Sequence, residues 1–280
     1  REKEISTWLT EHVDGKRGER VFLPGNYGFY LNWFSDVWQE RGGLFQAATH
    51  FWPEHIYYQL VNGKDEEIAK AWLTVINAKY ALITTPGSSE LYKEIKNLRR
   101  FEALPKAYED KGDIIYKVPL VRASMAKSVN LAQMSSLSVP KKADDKEPLL
   151  AYAKWGENSS KNETIFEVVD NDTYRIQGNV KAGEGILVQM TYDPGFRARD
   201  EKTGRIPKIK DPLGFLVLQP KEGDVDITLT HGPTWKIWFG YLTTLVTIFG
   251  ILWYGLVNES KKPQNSYSSE YRMARPQKSS

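Results

Sequence analysis

The chain has no cysteine in 280 residues. That excludes disulfides, thiolate metal sites and cysteine nucleophiles together, while leaving the compartment open, because extracytoplasmic domains also occur without cysteine. Excess charge is equally scarce. Lys and Arg number 38 against 35 Asp and Glu, a net charge of +3. A nucleic-acid binder needs a concentrated basic face, and part of this small excess lies in the tail after Val257, so no nucleic-acid partner is expected. Histidine is rare too. His50 and His55 flank Glu54 without the HExxH spacing, and Pro53 is expected to interrupt any continuous helix there. No metal site and no cofactor are expected. Asp36, Asp193 and Asp211 show no spacing that pairs them as acid and base, and no nucleophile elbow is present, which argues against a free-standing hydrolase. Gly42-Gly43 is too short for a phosphate cradle and reads as a backbone turn. The chain also lacks a signal-peptide pattern and begins with Arg1 rather than Met, so a C-terminal fragment of a longer polypeptide is expected.

What the chain does have is one long uncharged apolar run. From Ile237 it reads IWFGYLTTLVTIFGILWYGLV, with no charge until Glu259. As a helix this run spans roughly 31 Å, the thickness of a bilayer's hydrocarbon core. Trp235, Trp238 and Tyr241 stand at one end and Trp253 and Tyr254 at the other, as the two headgroup regions favour. A buried core helix is the alternative, but a soluble core rarely needs a run this long and neutral. Residues 235–257 are therefore expected to form a transmembrane helix in the cell membrane, with the lipid bilayer as partner. Lys261, Lys262, Arg272, Arg275 and Lys278 follow it, against Glu259 and Glu270. The positive-inside rule places that tail in the cytoplasm and residues 1–234 outside. The tail, 258–280, is rich in Ser, Pro, Gln and Lys and is expected to be disordered.

The remainder reads as an α+β protein. Glu4 to His12 suits a helix and Arg20 to Leu23 a strand stopped by Pro24-Gly25. In Asp65 to Asn77, Ile68, Ala71, Trp72, Val75 and Ile76 fall on one helical face. Lys79 to Thr85 suits a strand, Glu90 to Leu98 a helix capped by Ser88 or Ser89, and Ala107 to Glu109 with Ile114 to Val118 a hairpin. These elements predict a small α/β domain over 1–132. Residues 133–148 are polar, with serines and prolines, and predict a loop or linker. Beyond it the period becomes two. Thr164–Val169, Thr173–Gln177, Gly185–Tyr192, Gly214–Gln219 and Asp224–Leu229 are short strands separated by turn signals, which predicts a β-sandwich over 149–234. Its last strand runs almost directly into the apolar helix, so the sandwich is expected to stand close to the bilayer.

The densest unusual stretch is Asn26 to Tyr58, where aromatics alternate with polar and charged groups. Rings that pack on sugar C–H faces, beside groups that bond hydroxyls, make Trp33, Asp36, Trp38, Gln39, Arg41, Gln46 and His50 candidate glycan contacts. The same residues also suit a loop-rich core edge in which aromatics fill gaps and polar groups satisfy backbone. Arg197 and Arg199, with Arg205, Lys208 and Lys210, surround a tight turn at Asp193-Pro194-Gly195. Arg197, Arg199 and Lys208 are candidates for contact with anionic lipid or a lipid-linked phosphate, though charged hairpin loops are commonly just solvated. In the part expected outside the membrane, three N-x-S/T triplets, beginning at Asn158, Asn162 and Asn171, matter only where the source glycosylates proteins.

The runs RVFLPGNY, LNWFSDVWQERGGLFQA, IYYQL and AKAWLTVINAKYALITT, followed by ILVQMTYDPGFRA and DPLGFLVLQPKEGDVDITLTHGP before the apolar helix, resemble a family. It is that of bacterial and archaeal multispanning membrane proteins labelled pyruvoyl-tetrahydropterin-synthase-related, close to the YfhO-like proteins. The resemblance covers roughly residues 15–257. It implies a GT-C-type glycosyltransferase architecture that uses a polyprenyl-phosphate-linked sugar, with this chain as the outer C-terminal domain and last span. The acidic catalytic residue of such enzymes lies in an early outer loop absent here, so no catalytic residue carries over. The pterin label finds no support, because no His cluster is present to bind zinc. The resemblance, the aromatic-polar stretch and the short tether to the bilayer together point to an accessory domain that binds an acceptor or glycan; the alternative is a structural or partner-binding ectodomain without enzymatic role.

Overall fold

The computed structural model describes residues 1–40, 50–157 and 164–259. In chain order its first half holds α1 (Glu2–His12), β1 (Arg20–Phe22), α2 (Tyr27–Phe34), β2 (Trp38–Gln39), α3 (Trp52–Asn62), α4 (Glu66–Val75), β3 (Ala78–Thr84), β4 (Lys106–Asp110) and β5 (Asp113–Lys117). Then come β6 (Ala126–Asn130), α5 (Leu131–Ser136), α6 (Lys146–Glu157), β7 (Ile165–Asp170), β8 (Thr173–Val180), β9 (Glu184–Thr191), β10 (Phe196–Asp200) and β11 (Gly204–Ile206). The last elements are β12 (Lys208–Lys210), β13 (Phe215–Leu218), β14 (Gly223–His231) and α7 (Trp235–Glu259). The chain divides into a unit over Arg1–Gly232 and a second over Pro233–Ser280.

Local chemistry explains most of these boundaries. The Asp65 carboxylate accepts the N–H groups of Glu67 and Ile68 and so starts α4, whose first-turn acids suit the helix dipole. The helix buries Ile68, Ala69, Ala71, Trp72, Leu73 and Val75, each of the larger ones contributing about 1.5–3 kcal/mol of burial. Asn77, at a φ of 56°, turns the chain into β3. Pro53 does not break a helix, as expected from the sequence, but begins one. It lies in the first turn of α3, where its missing N–H has no intrahelical partner to lose. The helix expected over Glu90 to Leu98 does not form either; a 3-10 turn at Leu98–Phe101 is the regular element there. Its acids are engaged elsewhere, because Glu94 accepts the Gly25 N–H at 2.8 Å and Glu90 accepts from Asn26 and from the Tyr92 N–H.

Within the first unit, β2-β1-β3-β5-β4 form a mixed sheet, parallel at β2-β1-β3 and antiparallel beyond. One face carries Val21, Leu23, Tyr80, Leu82 and Ile115 against α1 and α2. The other carries Phe22, Ala81, Ile83, Ile114 and Tyr116 against α3 and α4. Two antiparallel sheets, β11-β10-β14-β8-β7 and β12-β13-β9-β6, enclose a second core. Their facing side chains include Ile186, Val188, Leu216 and Leu218 on one side and Ile176, Ile227 and Leu229 on the other. Leu187 and Val217, on the outer face of the four-stranded sheet, join the helical core beside Leu149, Tyr152 and Trp155 of α6. The same helical layer therefore covers both the mixed sheet and the sandwich.

The polar stretch 133–148 is more structured than its composition implies. It contains the end of α5 and the start of α6, and β6, which precedes it, pairs with β9 inside the sandwich. Asp145 accepts the N–H groups of Lys141 and Lys142, Trp72 donates to the Ala143 carbonyl, and Lys146 bridges Asp65 and Glu67 of the α4 start. The bonds of Trp72 and Lys146 tie the stretch to α4. In the second unit, α7 is long and apolar enough over Trp235–Val257 to cross a membrane, and none of that segment is buried.

Candidate functional site

The first candidate surface is α2. Tyr27, Gly28 and Leu31 turn inward at helical spacing, leaving Phe29, Tyr30, Trp33 and Phe34 exposed on a helix that carries no charge. Trp33 is 80% exposed, its ring edge-on to Tyr30 at 6.4 Å. Asp36 follows, also exposed. Trp38 and Gln39 are engaged differently. The Trp38 ring lies edge-on to Phe166 and Tyr174 of the sandwich. Gln39 donates to the Gly28 carbonyl at 2.8 Å and to Asn32 Oδ1 at 2.6 Å, tying β2 to α2. Arg41 and Gln46 lie outside the described residues, as do Gly42-Gly43, the triplet at Asn158 and most of that at Asn162.

His50 stands apart from α2, at the start of α3. Its Nδ1 accepts the Trp52 N–H at 3.3 Å, so the proton sits on Nε2, 3.0 Å from the Thr191 hydroxyl. Burial first, then the charge of Lys210, lowers its pKa and keeps the ring neutral. It lines a cavity of about 70 Å³ with Arg20, Glu40, Trp52, Ile56 and Phe215. That space suits waters rather than a sugar ring. Burial brings Arg20 down to about 10, partly offset by the charge of Glu40.

The basic candidates also separate. Arg197 and Arg199 are exposed on β10, opposite Thr230 and Thr228. Lys208 instead donates to the carbonyls of Asp193 and Pro194 at 2.8 and 2.9 Å, above the Tyr192 ring, and desolvation lowers its pKa. It holds the Asp193 turn, where Asp193 Oδ1 also meets His231 at 3.1 Å. Asp211 is occupied by the N–H groups of Leu213 and Phe215 and by the Tyr152 hydroxyl. Among the described residues no group of three or more His, Asp or Glu is placed to hold a metal.

A further cleft, of about 300 Å³, was not foreseen. Phe51, His55 and Tyr58, spaced i, i+4 and i+7, form the outer face of α3, while Trp52, Ile56, Tyr57, Leu60 and Val61 bury the inner one. Phe51 and Tyr58 are 59% and 63% exposed. Gln59 completes this wall, and Lys141, Lys142, Ala143 and Asp144 form the opposite one. The spacing of the three rings was legible in the sequence; their meeting with a loop from the polar stretch was not. Comparison with protein-family models, with curated proteins and with solved structures finds no match to this chain.

Proposed function

We propose that this chain is a membrane-anchored accessory domain that binds glycan, held outside the cytoplasm by α7, in a protein resembling GT-C glycosyltransferases that use polyprenyl-phosphate-linked sugars. The observation that carries the binding role is the outer face of α2. A ring as exposed as Trp33 on an uncharged helix, with the exposed Asp36 three residues on, offers an apolar surface together with a group that accepts from hydroxyls. The membrane anchor rests on the length and apolarity of α7, and the sidedness on the basic tail.

The test is glycan transfer by the full-length protein carrying Trp33→Ala or Asp36→Ala. Both side chains are exposed, so folding is retained and transfer falls; full transfer in both variants refutes the binding role. A reporter fused after Ser280 that is active only outside the cytoplasm overturns the orientation. The same uncharged aromatic face also suits a protein partner, since monomeric proteins seldom expose such patches without a use for them. A glycan panel separates the two readings, because specific sugar binding rules out the purely structural one.

A further inference from the structure

We infer that the cleft between α3 and the loop before α6 is a second binding site, independent of α2, for a saccharide bearing one anionic group. Its walls differ in kind. On one side Phe51 and Tyr58 line the cleft with exposed rings along a single helix edge, with His55 and Phe51 in a T-shaped pair at 5.5 Å. On the other stand Lys141 and Lys142, both exposed. Their backbone N–H groups hold Asp145 at 2.5 and 3.0 Å, and neither ammonium is in an ion pair among the described residues. Asp145 is therefore turned into the loop, and Asp144 is the carboxylate that lines the cleft.

The loop is a prepared wall. The Trp72 indole holds its Ala143 carbonyl at 2.7 Å, and Lys146 anchors its end to Asp65 at 2.9 Å. Little ordering is left to be done on binding, which favours affinity. The volume of about 300 Å³ is at the lower end of small-ligand pockets.

The chemistry narrows the ligand. An apolar ring wall on one side only suits the C–H face of a pyranose; a nucleobase gains most when sandwiched. Gln59 and Asp144 can bond hydroxyls, the amide as donor and acceptor and the carboxylate as acceptor. Two ammonium groups against one carboxylate favour an anionic substituent, bonded by charge-assisted N–H···O contacts. A carboxylate and a phosphate both satisfy this requirement.

The full chain in nanodiscs of neutral lipid is titrated with glucuronate, glucose 1-phosphate, glucose and inorganic phosphate, read by saturation-transfer NMR and by tryptophan fluorescence at Trp52. The two charged sugars are expected to bind about fivefold or more tighter than glucose, an advantage that weakens with salt. A Lys141→Gln/Lys142→Gln double variant is expected to bring them to the level of glucose. In a Trp33→Ala background, which removes the α2 contribution, Phe51→Ala/Tyr58→Ala is expected to abolish binding of all three sugars without altering circular dichroism. A preference for one charged sugar identifies which anion is recognised. Glucose binding as well as glucuronate, an unaffected lysine variant, inorganic phosphate matching glucose 1-phosphate, or no binding of any probe would each overturn the assignment. Trp33→Ala leaves this binding unchanged, so the outcome is separable from that of the α2 site.

Discussion

Lys127 offers a sharp test of how the sandwich is joined to its helical layer. It lies on β6, its side chain 1% exposed, and its ammonium pairs with the Glu157 carboxylate at the end of α6. The other Glu157 oxygen accepts the Val121 N–H at 2.7 Å. Desolvation is the largest influence on Lys127 and lowers its pKa; Glu157 works in the opposite direction. Glu157→Gln removes the counter-charge and strands a buried cation, which costs about 3–5 kcal/mol. Lys127→Met removes the charge itself and leaves Glu157 with partial access to water and its Val121 bond, so the loss is expected to stay below about 1.5 kcal/mol. The sign of the pH dependence follows from linkage. With a lowered folded pKa, the unfolded chain binds the proton more readily, so stability rises with pH until the unfolded lysine also deprotonates near 10.4. Glu157→Gln lowers the folded pKa further and steepens that rise. Urea unfolding in nanodiscs, followed by the fluorescence of Trp155 on the same helix, should shift by roughly 1–2 M for Glu157→Gln at pH 7. The deficit should narrow by pH 10. A Lys127→Met loss equal to or larger than that of Glu157→Gln, or a deficit unchanged by pH, refutes the reasoning.

Two further changes probe the frame. Arg100, a buried guanidinium drawn down to about 10 by desolvation, donates to the carbonyls of Gln59, Leu60 and Asn97 and so closes the C-terminus of α3. Arg100→Ala should lower stability by about 3 kcal/mol, and Arg100→Lys should recover only part of it, because one ammonium cannot reproduce the planar fork; melting temperatures of the two variants check this. Asp211 is raised to about 6, burial outweighing the bonds from Tyr152, Phe215 and Leu213. A carboxyl with a raised folded pKa contributes most at low pH and loses that contribution as pH rises from about 4 to about 6. Asp211→Asn should therefore gain on the wild type by up to about 3 kcal/mol across that window, measured as the difference in melting temperature between pH 4 and pH 7; a flat difference counts against the assignment.

The parts of the fold legible in the sequence were those fixed by local pattern. The α4 face, with its Asp65 cap, and the alternation in β8 and β14 depend on neighbours a few residues apart. The failures share a different cause. β10 has the alternation of a strand, with Phe196, Ala198 and Asp200 inward, but its two arginines and short length made it read as a charged loop. The stretch 90–98 had a helical cap signal, yet its carboxylates were drawn to Gly25 and Asn26, far away in sequence. Of the candidate glycan contacts, Trp33 and Asp36 face solvent, whereas Trp38, Gln39 and His50 have partners in the surrounding fold. Residue type alone does not separate those groups, because a tryptophan that caps a sandwich and one that stands in solvent look alike in a list of aromatics.

Composition also hid the α3 cleft, and the reason bears on how such sites arise. Serine, proline and lysine between 133 and 148 measure how well that stretch is solvated, not how freely it moves. Three interactions decide its freedom: the Asp145 carboxylate on two backbone N–H groups, the Trp72 indole on the Ala143 carbonyl, and the Lys146 bridge to Asp65. Two of these reach back to α4, so the loop is positioned by the same helix that carries the core. Its lysines can therefore be exposed and still be well placed. A surface loop held by a packed helix combines access to solvent with fixed geometry, which is what a binding wall requires. Loosening the anchor should therefore weaken the cleft without touching it. Trp72→Phe keeps an aromatic in the core but removes the bond to Ala143, and it should reduce glucuronate binding while leaving Phe51, Tyr58, Lys141 and Lys142 intact.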